Sequence, residues 1–272
     1  MLARPGHTEA AVDLSTLAGC SPAGVLCEVV SADGGGMART PELQAFAARH
    51  GLKCITIADL VRYRLRHDRL VERTASAALP TRYGTFQAHA YRSLLDGTEH
   101  VALVAGEVGA GEGVLARVHS EGMLGDIFGS ERCNSGPQLD GALRRIAAAG
   151  RGALVYLRGQ QGRGLGLAQE LAAYGDAGAC GSRAALEDAS FPVDLRDYGV
   201  AAHVLRDLGV RSVRLLTNNA TKTACLRAHG IQVLEQLPLE GPPGGGEEVV
   251  TEAAHLSRGV PRSRGAEAEH FA

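Results

Sequence analysis

The sequence contains no run of about 20 uncharged apolar residues, the length a helix needs to cross a bilayer, so no membrane span is expected. It also has no large excess of charge of either sign, with a formal net charge of −2 and a pI of about 6.6. That balance gives no electrostatic reason to expect a nucleic-acid or anionic-membrane partner, although local sites for small anions stay open. The opening residues MLARPGHTEAAVD set Arg4, His7, Glu9 and Asp13 where a secretory leader would carry its apolar core, and a cytoplasmic location is expected. The cysteines (Cys20, Cys27, Cys54, Cys133, Cys180 and Cys225) form no CxxC pair and no compact framework. In a reducing compartment they read as small buried hydrophobes, and Cys133 alone sits in a suggestive context. Internal repeats are absent. What remains is ordinary for a water-soluble globular protein: 45% apolar and 21% charged over 272 residues, enough for one large domain or two modest ones.

Two changes in composition divide the chain. RLRHDRLVERTASAALP (64–80) is charged, then small and polar, and ends in a proline, which reads as a helix end followed by a linker. From Gly241 onward low hydrophobicity and many glycines predict a disordered tail. The expected organisation is an N-terminal segment over 1–67, a linker over 68–80, a main domain over 81–240 and a tail over 241–272. Within the main domain HVALVAGEV, VLARVHSE, ALVYLRG, VRLLTNN and IQVLEQLPL are short, β-branched apolar runs that read as strands. PQLDGALRRIAAAG, GLGLAQELAAYG, RDYGVAAHVLRDLG and TKTACLRAHG have helical spacing with glycine at the end. The fold class is therefore α/β. In the N-terminal segment GVLCEVVS reads as a strand, PELQAFAARHG as a helix, and KCITIADLVRYRLRH as a strand running into a helix.

The stretches ARVHSE (116–121), RCNSG followed by QL (132–139), RGQQGRGLGL (158–167), VDLRDY (193–198) and LLTNNATK (215–222) occur in that order. Through them residues 81–240 resemble GTP cyclohydrolase II, which implies a mixed sheet with flanking helices. RPGHTEA (4–10), GVLCE (24–28) and MARTPEL (37–43) make residues 1–67 resemble the C-terminal part of 3,4-dihydroxy-2-butanone 4-phosphate synthase, as in the bifunctional riboflavin enzyme. The resemblance implies that GTP loses diphosphate, that its imidazole ring is opened with release of formate, and that a pyrimidine ribosylamine phosphate remains.

A triphosphate needs several cationic and backbone donors, because partly buried phosphate charge must be met by charge-assisted hydrogen bonds. Taken singly, Arg117, Arg163 and Lys222 read as solvated surface charges. The resemblance instead makes them, with Thr217, Gln138, His119, Glu121, Gly162 and Ser182, nucleotide contacts, and a helix starting near Thr221 adds its positive end. Asp194 and Arg196 stand two apart, so in an extended segment they share a face. The resemblance makes Asp194 the proton acceptor and Arg196 the nucleophile at the α-phosphorus. Local sequence alone reads the same pair as a surface ion pair, with Asp194 capping the next helix. Tyr174 matches a tyrosine of a late step, against a plain reading as a helix-surface aromatic.

Ring opening by water calls for a metal-bound hydroxide, because zinc lowers the pKa of its water to about 7. The resemblance implies three thiolate ligands, at positions that here read Gly122, Cys133 and Ser135. Glycine offers no side chain and a neutral hydroxyl is a poor zinc ligand. Since full ligand sets are worth about 10–16 kcal/mol, one thiolate is not expected to retain the ion, and no zinc is expected. Mg²⁺ accompanying the nucleotide is compatible with this. Two alternatives stay open: a substitute metal site from His119, Asp126 and Cys133, or a non-catalytic nucleotide-binding partner of an intact homologue. Gln161 replaces the family's usual glutamate, a carboxylate suited to the guanine N1–H and 2-amino edge. The base preferred here is thereby left open. The N-terminal segment keeps His7, Thr8 and Glu28 but not the acidic metal-binding loop implied by the resemblance, so the synthase reaction is not expected. Packing or dimerisation is its expected role, with an upstream start of the chain as the other reading; a purine nucleotide and a second copy of the chain are the expected partners.

Overall fold

The computed structural model describes residues 1–2, 4–176 and 198–239. Its centre is a strand buried on both faces. VLARVHS places side chains alternately on two sides, and both sides are covered, the pattern of a strand inside a parallel array with helices above and below. Among the described residues there are seven strands: β1 (Val71–Thr81), β2 (Gly84–Ser93), β3 (Glu99–Ala105), β4 (Val114–Ser120), β5 (Gly152–Leu157), β6 (Ser212–Leu216) and β7 (Gln232–Leu237). They form one sheet in the order β1-β2-β3-β5-β4-β6-β7. β1, β2, β3 and β5 pair antiparallel, while β5, β4, β6 and β7 run parallel. The α/β fold with a mixed sheet follows the sequence reading.

The helices are α1 (His7–Leu17), α2 (Thr40–His50), α3 (Ile57–His67), the short α4 (Met123–Asp126), α5 (Ser135–Ala149), α6 (Leu167–Asp176), α7 (Gly199–Asp207) and α8 (Ala220–Ala228), with a 3-10 turn over Gln161–Gly164. On one face of the sheet α5 sets Ala142, Leu143 and Ile146 against Leu115, Leu154, Leu216 and Phe86. On the other, Ala201, Ala202, Val204 and Leu205 of α7 and Leu226 of α8 cover Ala116, Val118, Val155, Val213 and Leu215. Gly150, at φ 66, ends α5 in the left-handed conformation and returns the chain at once into β5.

Topology fixes where a ligand can sit. β4 lies between β5 and β6; the chain leaves it through α5 toward β5, whereas β6 continues through α8 toward β7. Connections that depart in opposite directions open a crevice at the carboxyl ends of the strands.

Several local expectations are corrected. Residues 71–80, read within a linker, belong to β1, whose side chains are exposed along almost its whole length. A strand with no buried face carries no alternation, so the pattern gave no sign of it. GVLCEVVS is not a strand and makes only an isolated bridge, Val30 to Met37, because no neighbouring strand meets its backbone groups. The strand half of KCITIADLVRYRLRH is likewise absent, and Thr56 with Asp59 instead builds a capping box at the start of α3. α1 was not anticipated. Cys20, Cys27 and Cys54 are exposed rather than buried, since the N-terminal segment has only a small core around Met1, Ala10 and Leu60. The stretch from Gly241 onward lies outside the described residues. Among those described, no helix is long and apolar enough to cross a membrane.

Ile146 is fully buried between α5 and the sheet. Ile146→Ala should lower the unfolding free energy by about 2–5 kcal/mol, measured by chemical denaturation; a loss of less than about 1 kcal/mol would mean that α5 is not docked as described.

Candidate functional site

Alternation along β4 sends Leu115, Arg117 and His119 to the α5 side of the sheet. Leu115 joins the apolar layer, and the next two positions, nearer the carboxyl end, are polar and almost wholly buried. Arg117 donates to the Leu216 carbonyl at 2.9 Å and to Oε1 of Gln138, in the first turns of α5, at 2.7 Å. Lys222, in the first turn of α8, donates to the Val118 carbonyl at 3.1 Å and lies 5.3 Å from the centre of the Tyr198 ring. Thr217 ends β6; its hydroxyl accepts the Asn219 N–H at 3.0 Å, and the Asn219 side chain caps α8. Two buried cations thus stand at the carboxyl ends of adjacent strands, beside the start of a helix. That is a suitable arrangement for an anion.

His119 belongs to a second group. Its Nε2 lies 3.1 Å from both oxygens of Asp126 on α4, and its ring stacks on Tyr156 of β5 at 5.4 Å. Asp126 also accepts from the Tyr156 hydroxyl at 2.8 Å and from the Gly122 N–H at 2.9 Å. Burial holds the His119 pKa below its ordinary value, with Asp126 offsetting this only in part. Asp126 stays below the usual carboxylate range: burial pushes it up, but the hydrogen bonds from His119, Gly122 and Tyr156 outweigh that. The neutral imidazole therefore donates through Nε2, and its buried Nδ1 has no partner. Glu121, just beyond β4, accepts the Gly159 N–H at 2.8 Å and ties the ends of β4 and β5 together.

Across the crevice, the 3-10 turn carries Gln161, Gly162 and Arg163, and α6 carries Tyr174. The Tyr174 hydroxyl lies beside Ser130 and Cys133, and burial lifts its pKa to about 12. Arg132 holds this part in place, donating to the Tyr174 carbonyl at 2.5 Å with its guanidinium 5.5 Å from the ring centre. A cavity of about 1160 Å³ borders the group, with Asp126 and Cys133 on one wall and Arg82, Arg144 and Arg145 on another.

The positions Gly122, Cys133 and Ser135 do meet in space. The Cys133 sulfur is 3.5 Å from the Ser135 hydroxyl, which in turn lies 3.4 Å from the Gly122 carbonyl. The room for a third ligand has closed, however: a Cβ on Gly122 would fall 2.7 Å from Ser135 Oγ and 2.9 Å from Ser135 Cβ. This donor set of one thiol, one hydroxyl and a bare backbone does not fit zinc. Nor do His119, Asp126 and Cys133 assemble into a substitute, because Asp126 is occupied by three donors of its own. Among the described residues no three His, Cys, Asp or Glu side chains are placed to hold a metal.

The structure thus brings Arg117, His119, Gln138, Thr217 and Lys222 together around the ends of β4 and β6, with Gln161, Tyr174 and Cys133 facing them. Asp194, Arg196 and Ser182 lie outside the described residues. The sequence reading missed Tyr156 and Glu170. Glu170 was legible in principle, standing four residues before Tyr174 on the same helix face.

The family model for GTP cyclohydrolase II matches residues 72–238. The chain belongs to that family. A model for 3,4-dihydroxy-2-butanone 4-phosphate synthase matches residues 1–63 ahead of the GTP cyclohydrolase II domain. The bifunctional riboflavin biosynthesis protein RIBA 1 of Arabidopsis thaliana is 53% identical over 241 residues, 88% of this chain and 44% of that protein. The riboflavin biosynthesis protein RibBA of Mycobacterium tuberculosis is 53% identical over 246 residues, 88% of this chain and 58% of that protein. The chain therefore spans about half the length of the curated relatives it matches. A solved structure of RibBX, a two-domain 3,4-dihydroxy-2-butanone 4-phosphate synthase from A. baumannii, is 33% identical, with a TM-score of 0.49 over 87% of this chain and 60% of that one.

Because His119 is held neutral, its folded-state pKa lies below the unfolded value near 6.5. Its contribution to stability is complete above that value and is lost as pH falls below it, since the unfolded chain then takes up the proton. As pH falls below about 6.5 the unfolding free energy should decline by up to about 1.4 kcal/mol per pH unit from this group. His119→Asn should be less stable at neutral pH and show a shallower slope; equal slopes would mean that the imidazole is already charged.

Proposed function

We propose that this chain binds a purine nucleotide, GTP, at the carboxyl ends of β4 and β6, and releases diphosphate from its α-phosphorus without the zinc-dependent ring opening. The observation that carries this reading is the pairing of two buried cations, Arg117 and Lys222, with a position at Gly122 that Ser135 crowds. Phosphate recognition is intact where metal binding is not.

In this reading Arg117 and Lys222 neutralise phosphate charge, the first turn of α8 adds backbone N–H groups, and Mg²⁺ accompanies the nucleotide. Arg163 on the 3-10 turn and Ser182 are further contacts. Arg196 attacks the α-phosphorus as Asp194 takes its proton; a P–N bond forms, the bridging P–O bond breaks, and diphosphate leaves. Guanidinium is protonated at any ordinary pH, which is why a carboxylate beside it is needed. Water then cleaves the P–N bond and frees the monophosphate. Tyr174, which in the family reading serves a late step, has no ring-opened intermediate to act on.

The N-terminal segment is proposed to pack against a second copy of the chain rather than to catalyse, and the assembly is proposed to be a homodimer. Leu14, Leu17, Val25, Phe46 and Ile55 are exposed on it and offer apolar side chains to such a partner. A reducing compartment, the cytoplasm, is the proposed location, in keeping with the free thiols among the described cysteines.

Incubation of the full chain with GTP and Mg²⁺, followed by separation of products and metal analysis of the same sample, tests the reading. GMP and diphosphate should appear without formate, with zinc well below one per chain, and Arg196→Ala should abolish diphosphate release. Formate at ordinary enzymatic rates together with bound zinc would show a working ring-opening site. GTP held tightly but never turned over would make the chain a nucleotide-binding subunit instead.

A further inference from the structure

Two neighbouring polar side chains, Glu170 and Gln161, are buried with hydrogen-bonding capacity left over: the carboxylate draws on the Gly162 backbone and the Gln161 amide, but not enough to satisfy every atom. Glu170 is 8% exposed and Gln161 9% exposed, and neither Oε2 of the first nor Nε2 of the second has a hydrogen-bond partner. Native interiors rarely leave such atoms unmatched, and each one calls for a reason. Here the two are neighbours. Glu170 rises from the first turn of α6 toward the backbone of Gly162 and the amide of Gln161, with Asp126 nearby. Gly162, at φ 53, allows the approach; a Cβ there would stand 3.4 Å from Glu170 Cβ. One turn further along α6, Tyr174 points to Cys133, so both side chains border the crevice.

An acceptor-only oxygen next to an N–H donor, both shielded from water, is complementary to a ligand edge that offers N–H groups beside a carbonyl. Adenine presents an amino group beside a bare ring nitrogen, with one N–H donor for the carboxylate. A 6-oxopurine with an amino group at C2 presents two, flanked by O6. We propose that Glu170 is a specificity-determining residue of this site: its carboxylate accepts from N1–H and the 2-amino group of a guanine base, while the Gln161 amide donates to O6. The proposal rests on the purine-nucleotide reading of the site given above. On this reading an amide suffices at position 161, because the carboxylate comes from the adjoining helix. Burial, joined by the nearby charge of Asp126, lifts the Glu170 pKa in the free protein, and two ligand N–H donors are what would favour its charged form.

The test measures dissociation constants of GTP, ITP and ATP for the full chain, for Glu170→Gln, and for the exchange variant Gln161→Glu with Glu170→Gln. Wild-type protein should prefer GTP to ITP, which lacks the 2-amino group, and to ATP. Glu170→Gln should weaken GTP roughly tenfold or more, as expected for lost hydrogen bonds to a charged acceptor. ITP should weaken less and ATP hardly at all, and the exchange variant should recover GTP binding. Equal weakening of all three nucleotides would overturn the proposal in favour of a purely structural carboxylate, as would an unchanged GTP-to-ATP ratio. If the wild type binds none of the three, the nucleotide reading falls and this inference with it; if GTP binds but the ratio ignores Glu170, only this inference falls.

Discussion

A guanidinium and an imidazole sit two residues apart on a strand that water cannot reach from either face, and the site is arranged around satisfying them. Burying charge is costly unless fixed partners replace the lost solvent. For Arg117 those partners include the carbonyl that ends β6 and an amide on α5, so three elements are brought into register by one side chain. For His119 the partner is Asp126, itself steadied by Tyr156 and the Gly122 backbone. The bonds that solve the burial problem also bind α4, α5, β5 and β6 to the end of β4. Order at the crevice is therefore a by-product of putting polar groups into the sheet.

The same economy extends to the turn that carries Gly122. Gly122, Cys133 and Ser135 lie within reach of one another through packing and weak polar contacts. Asp126 takes the Gly122 N–H and so fixes the first turn of α4 from within the protein. Hydrogen bonds within the protein thus help to fix the shape of this turn.

The parts of this architecture that could be read from sequence are those in which a side chain has a buried face. β3 to β7 and α5 to α8 imposed their periods on the residues and were legible to within a few positions. β1 was not, because RTASAALP faces solvent on both sides and owes its extended form to pairing with β2. GVLCEVVS shows the converse, a strand-like composition that has no partner to pair with. At the site, ordered motifs pointed to Arg117 and Lys222, whereas Tyr156 matters through its contacts with His119 and Asp126, distant in sequence. No local pattern encodes such contacts.

Helix α8 begins beside the proposed phosphate position and ends against the N-terminal segment. Lys222 lies in its first turn, while the carbonyl of its last residue, Ala228, accepts from Arg66 of α3 at 2.8 Å. Arg206 of α7 closes the junction by donating to the Arg66 carbonyl at 2.8 Å and to the carbonyl of His229, 2.5 Å away. A helix gripped at both ends behaves as a rod. The lysine at the crevice and the joint with α3 are thus carried by the two ends of a single nine-residue helix.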